Sequence, residues 1–159
     1  MRSETEHDLR VHALVQVLLD ESTCLDAFIE AMEAQDEALL AGRYHELPAL
    51  TQRHGTLLDR LAGLDRQRES ALLALGLACG DAGAAQAGRR WPRVEAGWTA
   101  VLQRAQRARS VAFRVQAKVN MNRAFAADAL AFLQARCAPV YGPDGSRQQR
   151  AGRNSLAVG

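Results

Sequence analysis

The feature that most constrains the fold of this chain is a heptad pattern that continues for five repeats near its C-terminal end. Such spacing places every residue of the pattern along one side of an α-helix. We therefore predict one long helix over residues 91–137, on the order of 65 Å in length at the usual rise per residue. The alanine-rich middle of the pattern requires a neighbouring helix to approach closely. Its positions are Trp98, Val101, Ala105, Ala108, Ala112, Val115, Val119, Asn122, Ala126, Ala129 and Leu133.

Two further helices are predicted in the first half of the chain. Apolar residues recur at helical spacing over residues 4–41, and no glycine or proline interrupts them before Gly42. Gly42 is suited to a left-handed helix end, and Pro48 fits the first turn of a second helix over residues 46–78. The short turn between these helices makes them antiparallel neighbours. The Gly/Ala-rich stretch 79–88 is interpreted as a mobile connection.

These elements predict an all-α protein built as an elongated bundle of three long helices. The first two form an antiparallel hairpin, and the long third helix extends beyond them. Aromatic residues make up only 5% of the chain, and alanine and leucine supply most of its apolar residues, which suits packed helices better than a sheet. We expect a single helical domain over residues 1–145. The polar, arginine-containing segment 146–159 is interpreted as a flexible, disordered tail.

Charge is divided unevenly between the two ends of the chain. Residues 1–46 carry 11 acidic and 3 basic side chains, whereas residues 89–159 carry 13 basic and 3 acidic ones. An acidic first helix and a basic last helix attract each other if they lie side by side. This arrangement accounts for the basic residues without a nucleic acid, although a nucleic-acid-binding stripe is a less favoured alternative. That stripe would consist of Arg104, Arg107, Arg109, Arg114, Lys118 and Arg123.

The sequence carries no recognisable motif for catalysis, cofactor binding or metal binding. The four histidines lack the spacing of metal ligands, and the three cysteines are too widely spaced for a disulfide framework. There is no phosphate-binding loop and no nucleophile elbow. We therefore expect no enzyme activity, no cofactor and no metal. No apolar run is long enough to cross a membrane, and the polar N-terminus does not resemble a signal peptide, so we expect a cytoplasmic protein without stable membrane insertion.

Two features suggest specific roles for individual residues. Glu21 and Arg68 lie at nearly equal distances from the turn around Tyr44 and both interrupt apolar patterns. They are predicted to pair across the hairpin and to fix its register; the alternative is that both are solvated at helix edges. The sequence Tyr141-Gly142-Pro143-Asp144-Gly145 is typical of a turn, which would end the last helix and present one aromatic side chain.

Several sequence pieces follow one another in a recognisable order over roughly residues 9–145. They are Leu18-Leu19-x-Glu21 with Leu25, Phe28 and Met32; Glu37 to Gly42; the leucine ladder from Leu47 to Leu61 closing on Arg68; Trp91; Asn120 and Asn122; and the turn beginning at Tyr141. This order resembles the FlgN family of flagellar export chaperones. His54 departs from the family pattern, which commonly has lysine there, and the first half of the last helix is unusually rich in alanine and arginine.

The resemblance implies a cytosolic chaperone of the flagellar type III export pathway that acts without ATP or metal. Proteins of this family bind the C-terminal helical segments of the hook–filament junction proteins FlgK and FlgL, prevent their premature assembly and bring them to the export gate. The resemblance further implies that Tyr141 contacts the gate component FlhA. An amphipathic client helix requires an apolar strip on the chaperone. We predict that this strip consists of Val115, Val119, Asn122, Phe125, Ala126, Ala129, Phe132 and Leu133.

Two alternatives to client binding remain at this stage. The same residues are equally compatible with an ordinary intramolecular core, because a helical stripe most often serves that purpose. The chain could also be a self-assembling helical adaptor in which the exposed part of the last helix pairs with a second copy. A weak homo-oligomer is compatible with either function.

Overall fold

The computed structural model of the chain describes residues 2–136, with side-chain exposure given for residues 4–135. Over this part every regular element is a helix, which confirms the all-α prediction. The helices are α1 (Arg2–Leu40), α2 (Leu47–Ala74), α3 (Gly80–Arg90) and α4 (Pro92–Arg136), and a short 3-10 turn (Tyr44–Glu46) precedes α2. The predicted tail over residues 146–159 lies outside the described residues.

The predicted three-helix architecture is wrong, because the described residues form four helices. The Gly/Ala-rich stretch that we interpreted as a mobile connection is helix α3. Its small residues serve close packing: a Cβ added at Gly83 would lie 1.7 Å from the carbonyl oxygen of Ala78. Ala84 and Ala87 are buried in the core. Small side chains therefore allow α3 to lie against the neighbouring backbone.

Glycines in the left-handed conformation end both helices of the hairpin. Gly42 has φ +69°, as predicted. Helix α2 ends at Ala74, four residues before the predicted end, because Gly76 has φ +71°. There the Leu77 N–H donates to the Leu72 carbonyl at 3.0 Å, which together with the positive φ is the signature of a Schellman motif. Leu72 and Leu77 are both buried, so the end of α2 is fixed by backbone hydrogen bonding and by apolar contact.

The described residues fall into two compact units, one ending at Val119 and one beginning at Asn120. The prediction of a single domain over residues 1–145 stays a prediction. Within the first unit, α1 and α2 run antiparallel. Arg10 on α1 donates to the carbonyl oxygen of Ala74 on α2 at 2.9 Å, and further along α1 the ring of Phe28 lies 5.7 Å from that of His54.

Helix α4 lies beside α1 and runs parallel to it within the first unit. Near the beginning of both helices, the rings of His7 and Trp91 are 5.4 Å apart. Near the end of α1, Lys118 Nζ lies 2.5 Å from Asp36 Oδ1. Ion pairs therefore join the acidic and basic helices, as the charge pattern predicts, although exposed pairs contribute little individually. The pairs are Arg104 with Asp26, Arg107 with Glu33 and Lys118 with Asp36.

One continuous hydrophobic core fills the first unit. The contact between α1 and α4 is close at Gly97, where an added Cβ would lie 3.2 Å from the Cβ of Leu18. Leu18 is fully buried. The buried residues of the core are Leu14, Leu18, Leu25, Ile29, Met32, Leu39, Leu72, Leu77, Ala84, Ala87, Val94, Trp98, Val101, Ala108, Val111 and Val115.

Candidate functional site

Among the residues that the structure describes, the largest group of exposed large apolar side chains lies on the part of α4 that belongs to the second unit. Phe125 is 76% exposed and Met121 is 71% exposed. On a helix, residues three, four, seven and eight positions apart lie on the same side. The exposed residues follow that spacing and form what we call the α4 apolar face. It consists of Met121, Asn122, Phe125, Ala126, Ala129, Leu130, Phe132 and Leu133.

The structure divides the eight predicted client-binding residues between the two units. Val115 is buried in the core of the first unit, and Val119 packs against that core. Both therefore contribute to the body of the protein. The other six belong to the α4 apolar face. Ala129 is half-buried, and the remaining five are exposed: Asn122, Phe125, Ala126, Phe132 and Leu133.

Two members of the α4 apolar face, Met121 and Leu130, were missed by the sequence analysis. Both were identifiable from helical spacing, since Met121 precedes Phe125 by four residues and Leu130 precedes Leu133 by three. The predicted strip included the heptad positions and two residues beside them, Phe125 and Phe132, but not Met121 and Leu130. With Met121 and Leu130 included, the α4 apolar face covers about half of the helix circumference, because a helix has 3.6 residues per turn.

The α4 apolar face is chemically suited to contact another amphipathic helix. Residues 121–133 extend about 20 Å along the helix axis. Burying a fully exposed phenylalanine or leucine side chain contributes about 1.5–3 kcal/mol before the costs of association. The amide of Asn122 adds a hydrogen-bonding group at a seam position, where such a group favours one register of a partner over others. The arrangement supports helix recognition.

Glu21 and Arg68, which were predicted to pair across the hairpin, are brought together in the core of the first unit. Arg68 Nη1 donates to Glu21 Oε1 at 2.5 Å, and both side chains are buried. The Arg68 guanidinium also pairs with Asp65 and lies 5.3 Å from the ring centroid of Trp98. These residues, together with Glu69, form what we call the Arg68 cluster. The cluster joins α1, α2 and α4 at one level.

Glu69 connects the Arg68 cluster to α3. The Gly80 N–H donates to Glu69 Oε2 at 2.8 Å, so a carboxylate on α2 caps the first turn of α3. That hydrogen bond lowers the pKa of Glu69. The pKa of Glu21 is raised, because burial disfavours its charged form more than the nearby Arg68 favours it. The stacking on Trp98 and the cap on Gly80 were not found from the sequence.

The described residues contain no group of three or more His, Cys, Asp or Glu side chains that could hold a metal ion. No helix among them is long and apolar enough to cross a membrane. Tyr141 and the turn that it begins lie outside the described residues.

Comparison with known proteins identifies the family. The family model described as FlgN protein matches residues 1–149. No curated protein and no solved structure matches the chain. The family match covers nearly all of the 159 residues. The chain therefore belongs to the FlgN family, which implies a general role as a flagellar export chaperone.

Proposed function

We propose that this chain is a cytosolic export chaperone that binds the C-terminal helical segments of the junction proteins FlgK or FlgL through the α4 apolar face. FlgN is a family of chaperones and is not known as a family of enzymes. The observation that carries the proposal is the row of exposed apolar side chains on residues 121–133. A monomeric protein rarely exposes such a row unless another surface covers it.

Client binding by this face accounts for the protective role of a chaperone. A client helix that assembles through its own apolar side is prevented from doing so while that side is covered. The α4 apolar face offers Phe125 and Leu133 two helical turns apart, which allows anchoring at two points. Binding of this kind requires neither ATP nor a metal, since it depends on apolar burial and shape.

Replacing Phe125 or Leu133 with aspartate is expected to weaken client binding at least about tenfold. The loss follows from the missing apolar contact and from the cost of placing a carboxylate in an apolar interface. The measurement is the Kd for a FlgK C-terminal fragment. Ala127→Asp is the matched control, because Ala127 is exposed on the other side of the same helix. Its Kd is expected to stay within about twofold of the unmodified protein's.

Undiminished binding by a Phe125→Asp/Leu133→Asp double variant with unchanged helix content would exclude the α4 apolar face as the client site. The main competing function is self-assembly, because the same exposed residues would also suit a second copy of the chain. Sedimentation of the unmodified protein separates the two. A tight dimer that does not bind the client fragment and dissociates in the double variant would favour a helical adaptor.

We further propose that Tyr141 docks the loaded chaperone on the export gate component FlhA. The support is the resemblance and the turn sequence around Tyr141, because an exposed tyrosine offers a large contact area with few rotatable bonds. A Tyr141→Ala variant is expected to bind the client normally and to support little export. The measurement is secretion of the client by cells. Tyr44→Ala is the control, since Tyr44 is exposed in the turn before α2; unchanged export by Tyr141→Ala would contradict the gate role.

A further inference from the structure

A second exposed aromatic residue, Phe113, lies in the first unit and takes no part in the proposed client site. Phe113 is 76% exposed, although the same stretch of α4 buries Val111 and Val115. Its ring lines a shallow depression on the surface of the helix. Leu102, three turns earlier on that side, is 46% exposed. The Phe113 patch consists of Leu102, Gln106, Arg109, Ser110, Phe113 and Arg114.

The positive charge of the Phe113 patch is not neutralised by α1. The cations of α4 that face α1, namely Arg104, Arg107 and Lys118, each pair with a carboxylate on that helix. Arg109 and Arg114 form no ion pair with any described residue, and both are exposed. One phenyl ring is therefore flanked by two uncompensated guanidinium groups.

Folding does not account for the presence of phenylalanine at this position. The ring contributes little burial to the first unit, and phenylalanine is a poorer helix former than alanine or leucine. A polar residue would serve an exposed helix surface equally well. An interaction with another molecule gives the exposed ring a physical role, because its burial there would contribute about 1.5–3 kcal/mol.

We propose that the Phe113 patch docks an acidic amphipathic helix of a partner protein, independently of client binding. An apolar side chain of that helix covers the Phe113 ring. Arg109 lies one turn before Phe113 on the same side of α4, and Arg114 is the next residue, about 100° around the helix, so carboxylates on either side of that apolar side chain reach the two guanidinium groups. A second apolar side chain reaches Leu102, about 16 Å away along α4.

The small positive charge of the Phe113 patch favours an acidic protein over a nucleic acid or an anionic membrane as its partner. Two free arginines neutralise about two phosphates, so they contribute far less affinity for a nucleic acid than the roughly 6–10 phosphate contacts of a strongly salt-dependent binder. At an anionic membrane each basic residue contributes about 1 kcal/mol, so two arginines and one aromatic ring give weak adsorption. An acidic helix supplies both the negative charge and the apolar surface that this small patch requires. Because the contact area is small, the complex is transient.

The test uses the full chain and a synthetic amphipathic helix that carries leucines along one side and glutamates beside them. Backbone amide shifts of the ¹⁵N-labelled protein are expected to change saturably around Phe113 when this peptide is added. Phe113→Ser and Arg109→Glu are each expected to raise the Kd at this site by about tenfold. Arg93→Glu is the control, because Arg93 is an exposed arginine of α4 outside the patch.

Three outcomes would overturn the proposal. The first is the absence of saturable shifts around Phe113, or equal binding of a peptide with lysine in place of every glutamate. The second is tighter, Phe113-dependent binding of a single-stranded oligonucleotide or of phosphatidylglycerol vesicles. The third is a dimer of the unmodified protein that Phe113→Ser dissociates. Since leucine-rich peptides could also occupy the α4 apolar face, the titration is repeated with Phe125→Asp, which is expected to leave the shifts around Phe113 unchanged.

Discussion

Replacing Arg68 with alanine is expected to lower the free energy of unfolding by about 3–5 kcal/mol. The substitution leaves the Glu21 carboxylate buried without its partner and removes the guanidinium that lies over Trp98. Urea unfolding at neutral pH, followed by circular dichroism, measures the loss. Removing one member of a buried ion pair costs far more than the pair itself contributes, because the remaining charge stays desolvated.

Two further variants separate the unpaired charge from a general loss of packing. Arg66→Ala removes an exposed arginine two residues away and is expected to change stability by less than about 0.5 kcal/mol. The double variant Glu21→Leu/Arg68→Met replaces both charges with apolar side chains. It is expected to lose less than half as much stability as Arg68→Ala. An equally large loss in the double variant would show that packing, and not the unpaired charge, dominates the effect.

The pH dependence of the Arg68→Ala variant follows from Glu21. Burial already raises the pKa of Glu21 above its ordinary value of 4.5, and loss of Arg68 raises that pKa further. A carboxyl with a raised folded-state pKa binds its proton more readily in the folded than in the unfolded protein. Its stabilising contribution is complete below pH 4.5 and is lost as the pH rises through the folded-state pKa. The deficit of Arg68→Ala relative to the unmodified protein is therefore expected to shrink as the pH falls from 7 towards 4.5.

The sequence predicted those features that depend on local pattern. Helical spacing identified α1, α2 and α4, and the conformational freedom of glycine located the turn at Gly42. Nearly equal distances from Tyr44 brought Glu21 and Arg68 to the same level, and the structure shows them as a buried pair. Each of these inferences required only the periodicity of a helix and the antiparallel geometry of a short hairpin.

The features that were missed depend on contacts that the helical period does not encode. Helix α3 was mistaken for a connection because its glycines and alanines carry no apolar pattern; they are informative only once the neighbouring backbone is known to approach Gly83. The cap from Glu69 to Gly80 spans eleven residues and has no motif. Likewise, the exposure of Phe113 depends on which side of α4 meets α1, and the heptad pattern did not include that residue.

Replacing Leu18 with alanine is expected to lower the free energy of unfolding by about 3–5 kcal/mol. Leu18 is completely buried between α1 and α4, and its side chain fills the space left by Gly97. Truncation loses the apolar contact and leaves a cavity, because two long helices cannot easily move together at one point. Leu19→Ala is the matched control in urea unfolding. Leu19 is 57% exposed, so the same chemical change is expected to cost less than about 1 kcal/mol.

Gly97→Ala tests whether the cavity lies where the structure places it. In the unmodified protein the new methyl group would meet Leu18 atoms at 3.2 and 3.3 Å, which opposes the gain of about 1 kcal/mol in helix propensity. In the Leu18→Ala background the contact with Leu18 Cδ1 is removed while the contact with the retained Cβ stays, so part of the gain is expected and the methyl group also fills part of the cavity. The double-mutant cycle is therefore expected to show a favourable coupling of at least about 0.5 kcal/mol. A coupling of zero would mean that α1 and α4 do not meet at Leu18 and Gly97.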